Sequence, residues 1–432
     1  MPRQIILAAH FPGVNNTTVW SDPRAGSQIA FDSFEYLAKT AERGRFDFFF
    51  LAEGLRLREQ RGLIHDLDVV GRPDTLTVLT ALAAVTEHLG LAGTLNATYH
   101  EPYELARQLA TLDHLSGGRA AWNVVTSPGA FFGENFRRGG FLAHEDRYVR
   151  AAEFIRAARA LWDTDGGEFA IRSSQFDISG RFGVPRSPQG HPVVLQAGDS
   201  DGGRELAAQH ADAIFSRHHR LEDARIFYRD VKDRLSRHGR AEDDLKIIPG
   251  VSYVLGDSDA DAQEKAHHIR RQQVSPQTAI LLLEQLWNTD LSGYDADGPL
   301  PSFEPVLDED DTIIKGRAGM YPDRLATAAE WRALAEAKKL SIRDLIIEVT
   351  GRQNFIGTAD RVASQLNEYV QTGACDGFIL VPHLTPTGLD DFVDQVVPLL
   401  QERGVFRTEY SDGGTLRQNL GLSPVSRRLK GR

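Results

Sequence analysis

The chain has a single cysteine, Cys375, in 432 residues. One thiol cannot close a disulfide within the chain, which fits a reducing cytosol. It sits in Thr372-Gly373-Ala374-Cys375-Asp376-Gly377, just before an apolar strand-like run, and reads as a packing residue rather than a nucleophile. Long apolar runs are also missing: none approaches the roughly 20 residues that cross a bilayer. The first residues run straight into a strand-like segment without the charged and apolar regions of a signal peptide, so a cytoplasmic location is expected. Positive charge is scarce. The net charge of -11 argues against binding to a phosphate backbone, which needs a basic face. The one basic run, Arg427, Arg428, Lys430 and Arg432, lies in a tail from about residue 423 that is expected to be flexible. Nucleophile and phosphate-loop signatures are absent: there is no Gly-x-Ser-x-Gly elbow, no P-loop and no Gly-x-Gly-x-x-Gly after the first strand.

What is present is an alternation. Apolar residues make up 41% of the chain, enough for one large core. Strand-length apolar runs fall at Ile5–Ala9, Asp47–Leu51, Leu89–Leu95, Ala120–Val125, Pro192–Gln196, Ala213–Ser216, Leu245–Leu255 and Asp376–Val381. Helical segments separate them. One is centred on Phe34, Leu37, Ala38 and Ala41 and ends at Gly44; the next is capped by Asp74 and runs to about His88. Others run from Pro102 to Gly117-Gly118, Asp146 to Trp162, Gly203 to His210, Glu222 to His238, and about Leu389 to Arg403. Continuous apolar strands are buried on both faces, hence parallel. Eight such units predict a single closed (β/α)8 TIM barrel rather than an open sheet. Between the seventh and eighth strands the chain is far longer than one crossover helix needs. Helices are expected at Ala260–Trp287 and Ala326–Lys338, with a Gly/Asp/Pro-rich stretch from Asn288 to Pro322 between them. An insertion of about 257–350 at a strand's C-terminal end is a candidate lid.

Four groups of residues could carry chemistry. The first is Gln196-Ala197-Gly198-Asp199-Ser200-Asp201-Gly202-Gly203-Arg204, a glycine-rich turn that opens a helix. Free N–H groups and the helix dipole there favour a phosphate, with Ser200 and Arg204 as added donors. Asp199 and Asp201 would repel an anion unless turned away, and a plain capped βα turn remains the alternative. The second is His144-Glu145-Asp146-Arg147-Tyr148, where His144 and Tyr148 share a helix face. The third is the strand Ala121-Trp122-Asn123-Val124-Val125-Thr126-Ser127, with polar Asn123 among apolar neighbours. The fourth is the set of strand-end residues: His10 and Phe11, Glu53, Thr94 and Asn96, Arg217, His218 and His219, and His383. Polar groups at the C-terminal ends of several strands are what a barrel active site needs. Convergence of His10, His218, His219 and His383 on a metal stays open, although the spacings of strong metal motifs are absent. The acidic run Asp308-Glu309-Asp310-Asp311 reads as a solvated loop. The residues alone thus describe a barrel enzyme with a phosphate-bearing ligand.

The runs Tyr99-His100-Glu101-Pro102-Tyr103 and Leu112-Asp113-His114-Leu115-Ser116-Gly117-Gly118-Arg119-Ala120-Ala121-Trp122-Asn123 resemble the nitrilotriacetate monooxygenase family. That family is a branch of the bacterial-luciferase-like superfamily that includes the pristinamycin IIA synthase large subunits and the dibenzothiophene-sulfone monooxygenases. His144 to Tyr148, Gln196-Ala197-Gly198 with Ser200, Ala211-Asp212-Ala213-Ile214-Phe215, Asp376-Gly377-Phe378 and Val396-Val397-Pro398 match in order, so the resemblance covers about Ile5 to Leu422. It implies an FMNH2- and O2-dependent monooxygenase acting through a C4a-(hydro)peroxyflavin. Reduced FMN would come from a separate NAD(P)H:flavin oxidoreductase, and the substrate would be a small organic molecule. The resemblance also suggests a homodimer or homotetramer. It makes Glu53, Asn96, His144, Tyr148 and Ser200 FMN contacts, with Ser200 and its loop at the phosphate. Relatives often carry Asp at the position of Glu53 and Ser or Thr at that of Asn96. Thr94, Asn123, Gly198 and Asp199 are further cofactor-side expectations; His10, His218 and His219 are candidates for holding substrate or a proton. Three other readings stay open: an F420-dependent hydride-transferring oxidoreductase, a metal-dependent barrel hydrolase, and a non-catalytic flavin-binding subunit.

Overall fold

In the computed structural model, residues 2–11, 17–57, 59–64, 73–127, 133–136, 144–307, 314–315, 321, 323–351 and 353–425 are described. Eight strands, β1 (Ile6–His10), β2 (Phe48–Leu51), β3 (Gly90–Asn96), β4 (Ala120–Val125), β5 (Val193–Gln196), β6 (Ala213–Ser216), β7 (Lys246–Val251) and β8 (Gly377–Leu380), close into one parallel barrel. Alternate residues point inward. Ile6, Ala8, Phe48, Phe50, Ala92, Ala121, Val193, Leu195, Ala213, Ile248 and Ile379 fill the lumen, and Leu416, Leu420 and Leu422 pack into the same cluster. The residues between them face the surrounding helices: Leu7, Ala9, Phe49, Leu91 and Phe378 belong to an outer core. Burial on both faces is why these strands are apolar without alternation.

The helices between strands are α1 (Phe31–Arg43), α2 (Thr75–Ala83), α3 (Pro102–Leu115), α4 (His144–Trp162), α5 (Asp201–His210) and α6 (Leu221–Leu235). After β7 come α7 (Asp259–Gln273), α8 (Pro276–Trp287), α9 (Arg324–Lys338), α10 (Ile342–Thr350) and α11 (Ala359–Gln371); α12 (Val397–Glu402) follows β8. Several boundaries correct the sequence reading. Helix α2 stops at Ala83, not His88, because the buried Arg119 guanidinium takes the carbonyls of Ala83, Thr86 and Leu89. The expected helix Ala260–Trp287 is two, since Ser275 caps Thr278 N–H and Pro276 starts a new helix. The run Leu245–Leu255 is also two: β7 ends at Val251, and Tyr253–Leu255 leaves the barrel to pair in parallel with Phe355–Gly357. Helices α10 and α11 and the hairpin Glu168–Arg172/Asp177–Arg181 had no counterpart in the sequence reading. Of the expected flexible tail, Ser423 and Val425 hydrogen-bond Asp244 and Arg186. The basic tail residues and the acidic run at 308–311 lie outside the described residues.

The N-terminal end of the barrel is built on a repeated device. Asp47, Asp212 and Asp376 each precede a strand and accept the N–H of a neighbouring one: Leu7 at 2.9 Å, Val194 at 2.8 Å and Ile247 at 2.8 Å. Each also meets a cation. Arg407 pairs with Asp47, Arg417 holds Asp212 at 2.9 and 3.2 Å, and Arg3 and Lys232 hold Asp376 at 2.6 and 3.2 Å. Against the cost of burial, Arg417 and Arg159 keep the Asp212 carboxyl below its ordinary range. Cys375 is fully buried beside Asp376, and burial pushes its thiol up, so it packs and stays protonated.

Candidate cofactor and active site

At the other end of the barrel the strand exits carry the polar residues. The turn from β5 into α5 is held by the Gln196 side chain, which accepts Gly198 N–H at 2.7 Å. Gly198 and Gly203 lie backbone to backbone: a Cβ on Gly203 would stand 2.7 Å from the Cα of Gly198, so only glycines permit the approach. Ser200 caps α5, its hydroxyl accepting Gly203 N–H at 3.2 Å. Tyr148, one turn into α4, reaches across and brings its hydroxyl to 2.9 Å from Ser200 Oγ. The two acids that could have repelled an anion are turned away. Asp199 accepts from His218 Nε2 at 2.9 Å and Arg204 at 3.4 Å, and Asp201 pairs with Arg234 at 2.7 Å. Arg204 is therefore not free for a phosphate: it is spent on Asp199 and Asp230. Arg147, next to Tyr148 on α4, is a second cation at this end, and a buried one; its charge reaches Tyr99. It is 7% exposed and its Nε has no partner. Sequence reasoning had this residue inside its second motif and gave it no role; the signal was a charged residue adjoining the tyrosine. His144 opens α4, but its side chain lies outside the described residues.

Beside the cradle, β3 and β4 bring Thr94 and Asn123 together in register, Asn123 Nδ2 donating to Thr94 Oγ1 at 2.9 Å. Asn123 is 3% exposed and its Oδ1 has no partner. Asn96 folds its own loop: its Oδ1 accepts Thr98 N–H at 2.7 Å and its Nδ2 donates to Ser127 Oγ. Among the described residues Glu53, just past β2, meets the N-terminus of α2, with Thr75 N–H at 3.4 Å, and no cation. Burial, aided by Asp74, pushes its carboxyl up to about 7. His10 ends β1 inside the lumen beside Phe50, ring centres 5.5 Å apart. Its Nδ1 has no partner, and burial pushes the ring down to about 4, so it is a neutral imidazole at ordinary pH.

The three candidate histidines do not converge. His218 serves Asp199 and stacks on Phe227 at 4.6 Å. His219 is exposed, its Nδ1 folded onto the Arg217 carbonyl at 3.0 Å. His383 lines a cleft on the β7–β8 side with Asp22, Arg24 and Tyr253, and burial pushes it down to about 4. No group of three His, Cys, Asp or Glu residues that could hold a metal occurs among the described residues.

A capped helix N-terminus and a bridging tyrosine both suit a phosphate, so the fold and its mouth fit a barrel enzyme working with a phosphate-bearing cofactor. The chain belongs to the luciferase-like monooxygenase family, whose model matches residues 10–376. It is 38% identical to N-acetyl-S-(2-succino)cysteine monooxygenase of Bacillus subtilis (strain 168), over 99% of each chain. It is also 38% identical to nitrilotriacetate monooxygenase component A of Aminobacter aminovorans, over 97% of this chain and 95% of that one. The structure of EDTA monooxygenase from Chelativorans sp. BNC1 superposes with a TM-score of 0.75 at 28% identity, covering 98% of this chain and 99% of that one. A coenzyme F420-dependent reductase from Methanopyrus kandleri shares only the fold, at 14% identity. The chain is thus a flavin-dependent monooxygenase using reduced FMN and O2. The residues present fit FMN: the turn into α5 has the capped N-terminus that suits a phosphate, and Asn123 Oδ1 and Arg147 Nε, without a partner among the described residues, are an acceptor and a donor left over at the same end of the barrel.

Proposed function

We propose that the phosphate of reduced FMN sits on Ser200, Tyr148, Gly198 and Arg147, and that the substrate lies on the far side of the mouth, beside His10. The Tyr148–Ser200 contact across the start of α5 is the observation that carries this reading. In the closed strand order β5 and β1 stand four strands apart in either direction, so cradle and His10 face each other across the mouth. Asn123, Thr94 and Glu53 line the way between, towards the ring of the flavin; His144 is assigned to the cradle from its place at the start of α4. Reduced FMN, delivered by an NAD(P)H:flavin oxidoreductase, supplies the electrons that activate O2.

The chain's own residues bind, orient and keep water out. Asp199, held by His218 and Arg204, shapes the loop and is turned away from the phosphate. His219, turned to solvent, has no part in the chemistry. His10, neutral down to about 4, recognises an uncharged polar group of a small organic substrate by hydrogen bond; it does not pair with an anion. The β7–β8 insertion roofs the mouth and limits water. The enzyme works in the cytoplasm, as a homodimer or homotetramer.

Anaerobic titration with reduced FMN followed by mixing with oxygenated buffer tests the reading. Saturable binding and a reoxidation course unlike that of free reduced FMN are expected. Absence of binding, or reoxidation at the rate of the free cofactor, would overturn it.

A further inference from the structure

The insertion leaves and re-enters the barrel through the parallel ribbon of Tyr253–Leu255 and Phe355–Gly357, above β7 and β8. Between these stems α8, α9 and α10 build their own core around Leu283, Trp287, Trp331 and Leu345. Its far side is fixed to a different part of the mouth, the loop after β2. Glu59–Gln60 pair antiparallel with Ile314–Lys315. Gln60 is 5% exposed, and its amide donates to Glu284 Oε2 at 2.6 Å and to the Leu281 carbonyl at 3.0 Å. Glu284, on α8, is completely buried; its other oxygen accepts Leu291 N–H at 2.9 Å, and Arg61 Nε stands 3.4 Å away.

A buried carboxylate without partners is costly. Glu284 completes its set only when the β2 loop is docked, so the insertion holds one half of a hydrogen-bonded unit and the loop the other. The loop is shaped for this. Arg61 and Gly62 both have positive φ, 52° and 74°, in the two-residue turn that closes Gln60 on Leu63. A non-glycine residue keeps such a backbone where its surroundings over-determine it. The same loop carries Glu53 at its start and reaches the β4 exit through Arg56–Glu134 and Asn135–Leu55.

We propose that Gln60 and Glu284 are positioning residues, an amide–carboxylate clasp that ties the loop starting at Glu53 to α8 of the insertion, so that the two hold their places together. The role in catalysis rests on the mouth being the flavin site; the clasp itself does not. The test is Gln60→Glu, alone and combined with Glu284→Gln, read by hydrogen exchange of residues 53–64 and 276–291 and by the hydrogen peroxide yield from reduced FMN and O2. In Gln60→Glu two carboxyls face each other, with the Asp290 carboxyl and the Arg61 guanidinium beside Glu284, and the pair repels least while it shares a proton. As pH rises and that proton leaves, both segments should exchange about tenfold to a hundredfold faster together, the scale of a lost charge-assisted hydrogen bond. Peroxide yield should rise with them. The double variant returns one amide and one carboxylate to the pair but leaves the Leu281 carbonyl without its donor, so it should remove the pH dependence and restore slow exchange only in part. Unchanged exchange in Gln60→Glu, loosening of the insertion without the loop, or a double variant that keeps the pH dependence would each overturn the clasp. If wild type binds no FMN while the exchange results hold, the flavin reading falls and the clasp stands.

Discussion

The two ends of the barrel spend polar residues differently. At the N-terminal end Asp47, Asp212 and Asp376 each hold a strand N–H and a cation. At the C-terminal end His10 Nδ1, Asn123 Oδ1 and Arg147 Nε are buried with no partner, and Glu53 faces no cation, among the described residues. Unsatisfied buried groups cost stability wherever they occur. The N-terminal end is not free of such atoms, since Arg417 Nε, Arg159 Nε and Asp113 Oδ2 also lack a partner among the described residues, but its strand-leading carboxylates are paired, whereas at the mouth a ligand can meet what is left over.

Breaking a paired carboxylate at the N-terminal end should have the largest effect. Asp212→Ala leaves Arg417 and Arg159 without their shared carboxylate and should cost about 3–5 kcal/mol in chemical denaturation. A loss below about 1 kcal/mol, the level of a surface pair, would show that the pairing is incidental. At the open end the double variant Ser200→Ala, Tyr148→Phe should weaken FMN binding by about tenfold to a hundredfold. Its loss of stability should stay near the ~1 kcal/mol of one helix cap. Equal damage to both would erase the contrast between the ends.

Smaller effects come from titration. Burial lowers His10 to about 4, His210 to about 3 and His383 to about 4, all from 6.5. The unfolded chain then binds more protons than the folded one, so stability should fall as pH drops from about 6.5 to about 4. His10→Phe should flatten part of that slope in denaturation curves at several pH values. An unchanged slope would mean that His10 is wet in solution. Glu53, raised to about 7, is neutral below that pH and anionic above it. Affinity for reduced FMN should decline as pH rises through about 7 and become flat in Glu53→Gln; a decline that persists in the variant would remove Glu53 from the flavin's surroundings.

Much of this was legible in the sequence. Continuous apolar runs gave all eight strands, because a parallel barrel strand is buried on both faces and has no alternation to hide. The glycine-rich turn gave the cradle, because close backbone approach leaves glycine little substitute. The roles of Arg204 and Arg147 were not legible. Which arginine is spent on Asp199 and Asp230 and which stays unpaired depends on contacts between α4, α5 and α6. Helices α10 and α11 were missed in a stretch whose length, not its pattern, had drawn attention. The end of α2 at Ala83 depended on Arg119, 36 residues further on.

The claim that the C-terminal end is a flavin site with its phosphate at α5 is tested most directly by comparing FMN with riboflavin, which lacks the phosphate. Binding of each to wild type and to the Ser200→Ala, Tyr148→Phe variant can be followed by quenching of flavin fluorescence. FMN should bind wild type far more tightly than riboflavin, and the gap should largely close in the variant. Equal affinities in wild type, or a gap that survives the variant intact, would contradict the account.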